Sequence, residues 1–506
     1  MTALLLLALA GAPAHAADWP FWGRTPSRNM VASEKVVPIS FDPGKFVPGT
    51  ETVDMATTKG VKWVAKLGSQ TYGNPTVSDG RVFVGTNNAL ARRAGFTGDY
   101  SVALALSEAD GSVLWQMTVP KLGSGKVNDW DWLGLTSSLA IVDDIAYVVT
   151  SRGEIAALDV NGLRNGNQGY QDESAYMSKG GLPAPELLPD VDADILWLFD
   201  MPEELGVFTH NASSNSTLIV GDRLYVATSN GVDWSHIDIP SPFAPALIAL
   251  DRHTGALIGE EAVGISERLL HANWSSPLYV PKKGKSPATL VFGAGDAFMY
   301  GFDPVPGVDA TGLHVLNERW RMDCNPPTYW KDEAGNPRKY TSYDGPSETI
   351  ATPVFADGMV FFAIGQDPEH GPGVGRLQAV VPWAKGETKP VWTFDGIGRS
   401  ISTVAVSDGL VYAADYEGRV YCVDEKTGVL QWKVDTKAHI WGSPMVAGDY
   451  VMIGDEDGVF HVLSTGRTLN EVAAISLSAP IYSTPVLANG VLYVATQTHL
   501  YPIDGK

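Results

Sequence analysis

The stretch RSISTVAVSDGLVYAADYEGRVYCVDEKTGVLQWKVD, residues 399–435, decides the fold of this chain. It predicts four short β-strands, over residues 402–406, 410–414, 419–424 and 429–434, joined by tight turns. The last turn ends at Gly428, since only glycine adopts a positive φ without cost. A four-stranded antiparallel unit of this size cannot bury both of its faces, so it must stack on copies of itself.

The second strand of this unit recurs eight times along the chain, and each copy follows a short strand containing Ser, Thr or Pro. The copies begin near residues 81, 145, 223, 288, 359, 410, 450 and 491. A Trp marks the fourth strand of most repeats, whereas the third repeat has Ile258-Gly259 and the seventh has Asn470-Glu471. The repeats therefore predict one large repetitive architecture.

The two ends of the repeat array complement each other. The eighth repeat stops at residues 501–504 after three strands, and a spare fourth strand lies at residues 61–67. Pairing these ends closes a ring and removes the exposed sheet edge. We therefore predict an all-β fold: a single eight-bladed β-propeller of four-stranded antiparallel blades over residues 61–506, closed by strand 61–67. Two separate all-β domains would leave the missing strand and the spare strand unexplained.

The N-terminal region precedes the repeats. Residues 1–16 resemble a secretory signal peptide, with an apolar run at Leu4–Ala10 and a small-x-small site at 14–16, although the run has no preceding Lys or Arg. Residues 17–60 predict an extended arm. No other segment reaches the ~20 apolar residues of a membrane-spanning helix. We expect a periplasmic or secreted protein without a lipid anchor, because no Cys follows the apolar run.

The net charge of −21 argues against nucleic-acid binding, which requires a basic surface. The two cysteines, Cys324 and Cys422, lie in different repeats. We interpret them as unpaired thiols, and a disulfide between them is the alternative.

Two segments carry a family resemblance: LIALDRHTG at 247–255 and VYCVDEKTGVLQW at 420–432. They resemble the tryptophan-docking repeat of the pyrroloquinoline quinone (PQQ)-like propellers, a group with quinoprotein alcohol dehydrogenases and BamB-type outer-membrane assembly propellers. Residues 19–23 and 28–30 resemble the start of exported, uncharacterised bacterial members. The resemblance implies that the Trp of a repeat packs between blades, here at positions Trp63, Trp115, Trp197, Trp320, Trp392 and Trp432.

Loop lengths separate the two faces of the predicted ring. Connections from strand four to the next strand one, and from strand two to strand three, open on the same face. On that face the loops are long: 86–100, 120–134, 229–245, 323–347 and 365–375. The opposite face has short turns, except at 160–194 and 303–312. Long loops on a rigid scaffold carry binding sites, so we expect the site on this long-loop face.

Aromatic and polar side chains concentrate on the long-loop face. Candidates at the mouth of the central channel are Tyr72, His210, Asn211, Asn273, Trp274, His439, Trp441 and Tyr482. Candidates within the loops are Trp130, Trp132, Asp233, Trp234, His236, Trp330, Asp367, Glu369 and His370. These residue types suit a planar or carbohydrate-like ligand stacked on aromatic rings and held by Asn and His. Alternatively, the rings pack the loops together and the polar groups satisfy strand ends.

A metal is a weaker hypothesis. Asp367, Glu369 and His370 offer oxygen and nitrogen ligands, as does Asp233 with His236, but neither set has an established metal-binding spacing. We therefore assign no metal from the sequence.

The sequence predicts an exported, monomeric binding or scaffold module that acts through its long-loop face on a periplasmic protein or small ligand. The resemblance supplies an alternative: an oxidoreductase using PQQ with Ca²⁺ to oxidise an alcohol or sugar. The adjacent cysteine pair of the quinoprotein alcohol dehydrogenases is missing, as is a Cys-x-x-Cys-His haem motif. Sugar dehydrogenases of the family can lack the pair, so this alternative stays open. A propeller hydrolase or lyase is a third hypothesis.

Overall fold

Eight four-stranded antiparallel sheets succeed one another in the computed structural model, which describes residues 18–370 and 373–506. The predicted eight-bladed propeller is confirmed. The predicted signal segment, residues 1–16, lies outside the described residues.

The core strands are grouped here by blade. Blade 1 comprises Thr76–Ser78, Arg81–Asn87, Tyr100–Ser107 and Val113–Pro120, and blade 2 comprises Ala140–Val142, Ile145–Val149, Glu154–Asp159 and Ile195–Asp200. Blade 3 comprises Leu218–Val220, Arg223–Ala227, Leu247–Asp251 and Leu257–Glu261, and blade 4 comprises Leu278–Val280, Thr289–Gly293, Phe298–Phe302 and Glu318–Asp323. Blade 5 comprises Val354–Ala356, Met359–Ile364, Arg376–Val380 and Trp392–Phe394, and blade 6 comprises Ala405–Ser407, Leu410–Ala414, Arg419–Asp424 and Leu430–Asp435. Blade 7 comprises Met445–Ala447, Tyr450–Gly454, Val459–Ser464 and Glu471–Ser476, and blade 8 comprises Val486–Ala488, Val491–Ala495, His499–Ile503 and Ala65–Lys66.

Helices are short and lie in the connections. The α-helices are Glu173–Ser178, Met201–Leu205 and Pro327–Trp330, and the 3₁₀ turns are Met55–Thr57, Gly162–Asn165, Ser266–Arg268 and Pro368–His370. The arm carries a small hairpin, Lys45–Phe46 with Val53–Asp54. In the described part of the chain, no helix has the length and apolar character needed to cross a membrane.

The ring closes between the two ends of the propeller. Ala65 pairs with Leu500 and Lys66 with His499, and an isolated bridge joins Val61 to Ile503. The predicted closing strand is therefore confirmed, although its ladder is continuous only over Ala65–Lys66.

Hydrogen bonds between neighbouring first strands surround the channel. At one position per blade, a backbone N–H or side-chain amide donates to the Ser, Thr or Asn side chain of the next blade. We call this set the inner ring; its members are Asn74, Ser138, Ser216, Ser276, Thr352, Thr403, Ser443 and Thr484. Between blades 4 and 5, Ser275 instead donates to the Ala351 carbonyl, at 3.0 Å. The Thr352 hydroxyl accepts the indole N–H of Trp22, in the arm, at 3.1 Å.

Tryptophans join the blades farther from the channel. The indole N–H of Trp432 donates to the Gly466 carbonyl at 2.8 Å, and that of Trp392 donates to the Glu425 carbonyl at 2.8 Å. Trp63, Trp115, Trp197 and Trp320 make the same type of bond to the following blade. A Cβ added to Gly428, whose φ is 71°, would lie 2.5 Å from the Trp392 ring, so this turn requires glycine for close packing and for conformation.

Blade 3 lacks this tryptophan and is joined to blade 4 differently. Strand His314–Leu316, from the long connection of blade 4, pairs in parallel with Leu257–Glu261. Strand Gly307–Val308 extends the same sheet, and Pro306 covers Gly259. Sheet extension thus replaces the indole contact.

The arm crosses the base of the channel. Its backbone bonds to first-strand residues of several blades, among them Val77, Ile141, Tyr279, Phe355 and Val446. The buried Arg28 guanidinium donates to the carbonyls of Trp22, Ser216, Thr217 and Pro277. Burial lowers the pKa of Arg28 to about 9. The arm is therefore an integral part of the propeller and closes its base.

Trp432→Ala should lower the free energy of unfolding by about 3–5 kcal/mol, because it removes a buried indole and its hydrogen bond. Urea denaturation of the full chain measures this loss. Trp234→Ala is the control, since that side chain is 56% exposed, and it should cost no more than about 1 kcal/mol. Equal losses in the two variants would contradict the docking role of Trp432.

Arg28→Lys should loosen the arm, because an ammonium keeps the charge but cannot reach four carbonyl acceptors as the planar guanidinium does. Hydrogen–deuterium exchange should become faster at the arm amides that bond to blades 1 and 7, while amides within the blades keep their rates. Arg24→Lys is the control, since Arg24 bonds only to the exposed Ser33 hydroxyl among the hydrogen bonds described. Unchanged arm exchange in Arg28→Lys would refute this role.

Candidate functional site

The channel forms a cavity of about 360 Å³ above the arm. Trp22 and most of the inner ring line its base, and loop residues of the long-loop face form its rim. Aromatic lining residues are Tyr72, Trp130, Trp274, Trp441 and Tyr482; polar ones include Asn211, Asp367 and Glu369. This volume falls within the range of small-molecule sites.

One wall of the cavity is an aromatic cluster around Glu456. The rings of Tyr72 and Tyr482 stack with centroids 4.9 Å apart, and Trp441 lies 5.4 Å from Tyr482. Glu456 accepts hydrogen bonds from the Trp441 indole at 3.4 Å and the Tyr482 hydroxyl at 3.3 Å. Burial and the Glu456 charge raise the pKa of Tyr72 to about 12, so this phenol stays neutral. The wall thus presents flat, uncharged rings.

A second layer supports this wall. Tyr416 packs edge-on against Trp441 at 5.2 Å and stacks on His439 at 4.3 Å. The Arg399 guanidinium lies 4.5 Å from the Tyr416 ring centroid. His439, predicted at the channel mouth, therefore lies behind the wall and does not line the cavity.

The opposite wall is built from Trp130, Trp274 and Asn211. The Trp274 indole donates to the carbonyls of His210 and Ala212, which fixes its ring. Trp130 stacks on Trp234 with centroids 6.2 Å apart. Asn211 has a φ of 57°, and its buried Oδ1 has no hydrogen-bond partner among the described residues. An unpaired amide oxygen at a cavity is an acceptor that a ligand or a water molecule can use.

Four histidines meet beside this wall. His236 and His370 come from long loops, and His210 and His271 come from connections between blades. His210 Nε2 and His271 Nε2 are 2.9 Å apart, and both side chains are buried. The rings of His236 and His370 lie 5.1 Å and 4.8 Å from the ring of His271. We call these four residues the histidine cluster.

The surroundings of the histidine cluster favour neutral imidazoles. Burial lowers the pKa of His210 to about 4 and the pKa of His271 well below its usual value. Burial also lowers the pKa of His236 and of His370. Burial thus favours the neutral form of all four rings at neutral pH, and the nitrogens of His210, His236 and His271 converge.

Acidic groups lie behind His271. Its Nδ1 is 3.7 Å from Glu348 Oε1 and 4.0 Å from Asp367 Oδ2. The Tyr340 hydroxyl donates to Glu348 at 2.7 Å and accepts from the Asp367 backbone N–H at 2.8 Å. Burial raises the pKa of Asp367 to about 6 and that of Glu348 well above its usual value.

The predicted candidates separate into three groups. Tyr72, Trp130, Asn211, Trp274, Asp367, Glu369, Trp441 and Tyr482 line the cavity. His210, His236 and His370 belong to the histidine cluster. The remaining candidates lie outside both: Trp132 and Trp234 are exposed, and the other members are Asn273, Asp233, Trp330 and His439.

Local hydrogen bonds account for three of these outlying residues. The Asn273 Oδ1 accepts from the Gly295 N–H at 3.0 Å, deep in the strand connections. The Asp233 carboxylate accepts from Ser235 within its own turn, while His236 reaches the histidine cluster. The Trp330 indole donates to Asp323 at 2.8 Å.

The sequence reasoning missed His271, and it also missed Trp22, Tyr340, Glu348 and Glu456. His271 lies five residues before the inner-ring Ser276, much as His210 lies six residues before Ser216. Comparison of these two consecutive repeats is the signal that could have found His271.

PQQ, which the resemblance implies, fits this cavity poorly. PQQ carries three carboxylates, which require cationic partners when buried. The described lining contains the carboxylates of Asp367 and Glu369 and no Lys or Arg. Cys324 and Cys422 are free thiols buried in the cores of blades 4 and 6. The lining carboxylates thus carry the same sign of charge as PQQ, so the cavity does not suit this cofactor, and we derive no reaction through it.

The ring of eight sheets and the tryptophans that join its blades define the class, a PQQ-like β-propeller. A family model described as outer membrane protein assembly factor BamB matches residues 47–181, 328–434 and 416–506. These matches cover more than half of the chain, and the protein belongs to this family.

Individual relatives agree with this assignment. The outer membrane protein assembly factor BamB of Moranella endobia (strain PCIT) is 23% identical over 326 residues, which cover 58% of this chain and 76% of the relative. The protein of the same name from Xanthomonas campestris pv. campestris is 26% identical over 196 residues, 37% of this chain and 44% of the relative. The crystal structure of BamB from Moraxella catarrhalis matches with a TM-score of 0.50 and 15% identity, covering 87% of this chain and 95% of that one. This structural match shows similarity of fold.

Proposed function

We propose that this protein is an exported binding module that captures a small neutral or cationic ligand with a flat face. The observation that carries the proposal is the cavity on the long-loop face, walled by aromatic rings and closed below by Trp22 of the arm. A site closed at its base and open at its rim suits capture of a ligand.

The charge of the lining selects the class of ligand. Asp367 and Glu369 line the cavity, and Glu456 lies directly behind Trp441 and Tyr482. Aromatic faces attract organic cations and also stack on the apolar face of a sugar ring. Anionic ligands would meet carboxylates with no compensating Lys or Arg in the described lining. We therefore favour a sugar or an organic ammonium ion.

A second role, as a protein scaffold, is supported by apolar side chains at the loop tips. Ile237 is 78% exposed and Phe243 is 87% exposed, and both lie in the long loop of blade 3. Exposed apolar surface of this kind can mark a protein interaction site. The names of the curated relatives describe assembly factors, which agrees with such a role.

An Ile237→Ser/Phe243→Ser double variant tests this scaffold role. A partner that co-purifies with the native protein and is lost in the double variant would assign the binding surface to this loop.

Trp441→Ala should weaken ligand binding about tenfold or more, because it removes a stacking face from the cavity wall. Isothermal titration calorimetry with a panel of amino sugars, oligosaccharides and choline-type cations measures the affinity, with PQQ as the anionic comparison. Glu369→Gln should weaken binding of the cations and leave that of neutral sugars nearly unchanged.

Trp132→Ala is the matched control, since Trp132 is 42% exposed on the same face and outside the described lining. Its affinity should equal that of the unmodified protein. Tighter binding of PQQ than of every sugar and cation in the panel would overturn the proposal, as would equal losses in Trp132→Ala and Trp441→Ala.

A further inference from the structure

We propose that His210, His236 and His271 form a binding site for a divalent transition metal that prefers imidazole ligands, such as Zn²⁺. The site is separate from the aromatic wall and does not depend on the identity of the ligand in the cavity. No metal was assigned from the sequence, because the two sets of residues considered there have no established metal-binding spacing.

Distances within the cluster suit a metal. One nitrogen from each of His210, His236 and His271 lies within 4.8 Å of the other two. Zn–N bonds of about 2.0–2.1 Å place tetrahedral ligand atoms about 3.3 Å apart. Small rotations of these side chains therefore bring the three nitrogens onto one ion. His236 is half-buried, so the site has access to solvent.

The tautomer of His210 leaves its ligating nitrogen free. Its Nδ1 lies 2.6 Å from the Val232 carbonyl oxygen, so Nδ1 carries the proton and donates it. The lone pair of Nε2 then points at His271 Nε2, 2.9 Å away. A backbone carbonyl that fixes the rear nitrogen in this way is the usual outer-shell support of a metal-bound histidine.

His271 offers its Nε2 at the same point. This atom lies 2.9 Å from His210 Nε2, and without a metal it donates a proton to it, because the His210 proton is on Nδ1. With a metal bound, the His271 proton would move to Nδ1, which faces the Tyr340 hydroxyl at 3.5 Å and Glu348 Oε1 at 3.7 Å. Both Nε2 lone pairs would then be free to bind the ion.

Buried carboxyl oxygens lie behind the imidazole of His271. Its Nδ1 is 3.7 Å from Glu348 Oε1 and 4.0 Å from Asp367 Oδ2, and both acidic side chains are buried. Carboxyl oxygens behind a ligating imidazole are common outer-shell partners of a metal-bound histidine, because they orient its ring.

His370 completes the surroundings of the proposed site. Its buried Nε2 has no hydrogen-bond partner among the described residues, and its ring lies 4.7 Å from that of His236. It is therefore available as a fourth imidazole. Imidazole-rich sites of this kind select Zn²⁺, Cu²⁺ or Ni²⁺ over Ca²⁺ or Mg²⁺, which prefer oxygen ligands.

The test is direct metal titration of the chelator-treated full chain. Co²⁺ should bind with a single equivalent and give the visible absorption of a nitrogen-ligated ion, and Zn²⁺ should displace it. His236→Ala should weaken binding by about 100-fold or more, beyond the 10- to 100-fold typical of losing an outer-shell partner. Saturating Zn²⁺ should raise the melting temperature of the unmodified protein, because it binds only the folded state.

His253→Ala is the control, because His253 is an exposed histidine in a turn of blade 3 and should leave the affinity unchanged. His236 is partly exposed, so His236→Ala should fold, and its circular dichroism spectrum checks this. Absence of Co²⁺ and Zn²⁺ binding to the unmodified protein would overturn the proposal and leave a neutral histidine network. Equal affinity in His236→Ala and the unmodified protein would do the same. Sugar or cation binding is measured separately, so either proposal can fail alone.

Discussion

The inner ring is the constraint on which the propeller depends. First strands crowd around the channel, where large side chains have no room and the backbone N–H groups face the next blade. Each buried donor needs an acceptor, and a Ser, Thr or Asn side chain at one position per repeat supplies it, as Ser443 does for Thr403. At seven of the eight blade junctions this bond sets the position of a blade relative to its neighbour. The short, hydroxyl-rich first strands of the sequence thus have a physical cause.

The inner ring also explains why the arm belongs to the fold. Between blades 4 and 5 the hydroxyl of Thr352 accepts from the Trp22 indole, a donor that comes from outside the repeats. The Arg28 guanidinium donates hydrogen bonds to the carbonyl groups of Ser216 and Thr217, which lie next to the inner ring. These bonds close the base of the channel. The channel is therefore closed at one end by the arm and open only on the long-loop face.

The repeats predicted the blades and the closing strand because local pattern and stacking determine both. The roles of Trp22 and Arg28 could not be predicted, since the arm has no period and the partners of these two side chains lie up to 330 residues away. The grouping of the histidine cluster could not be predicted either, because loops of different repeats bring its members together and no short motif contains two of them. Candidate residue types on the long-loop face were predictable from loop length, but their grouping required the closed ring.

The mouth of the channel is chemically divided, although the blades that carry it are alike. Blades 6, 7, 8 and 1 contribute the aromatic wall, while the histidines and acids come from the connections of blades 2 to 5. Asp367 joins the two halves, because it lines the cavity and its Oδ2 lies 4.0 Å from His271 Nδ1. A cation held by the histidines would offset the charge of Asp367, so occupancy of the histidine cluster would set the charge that a ligand in the cavity meets.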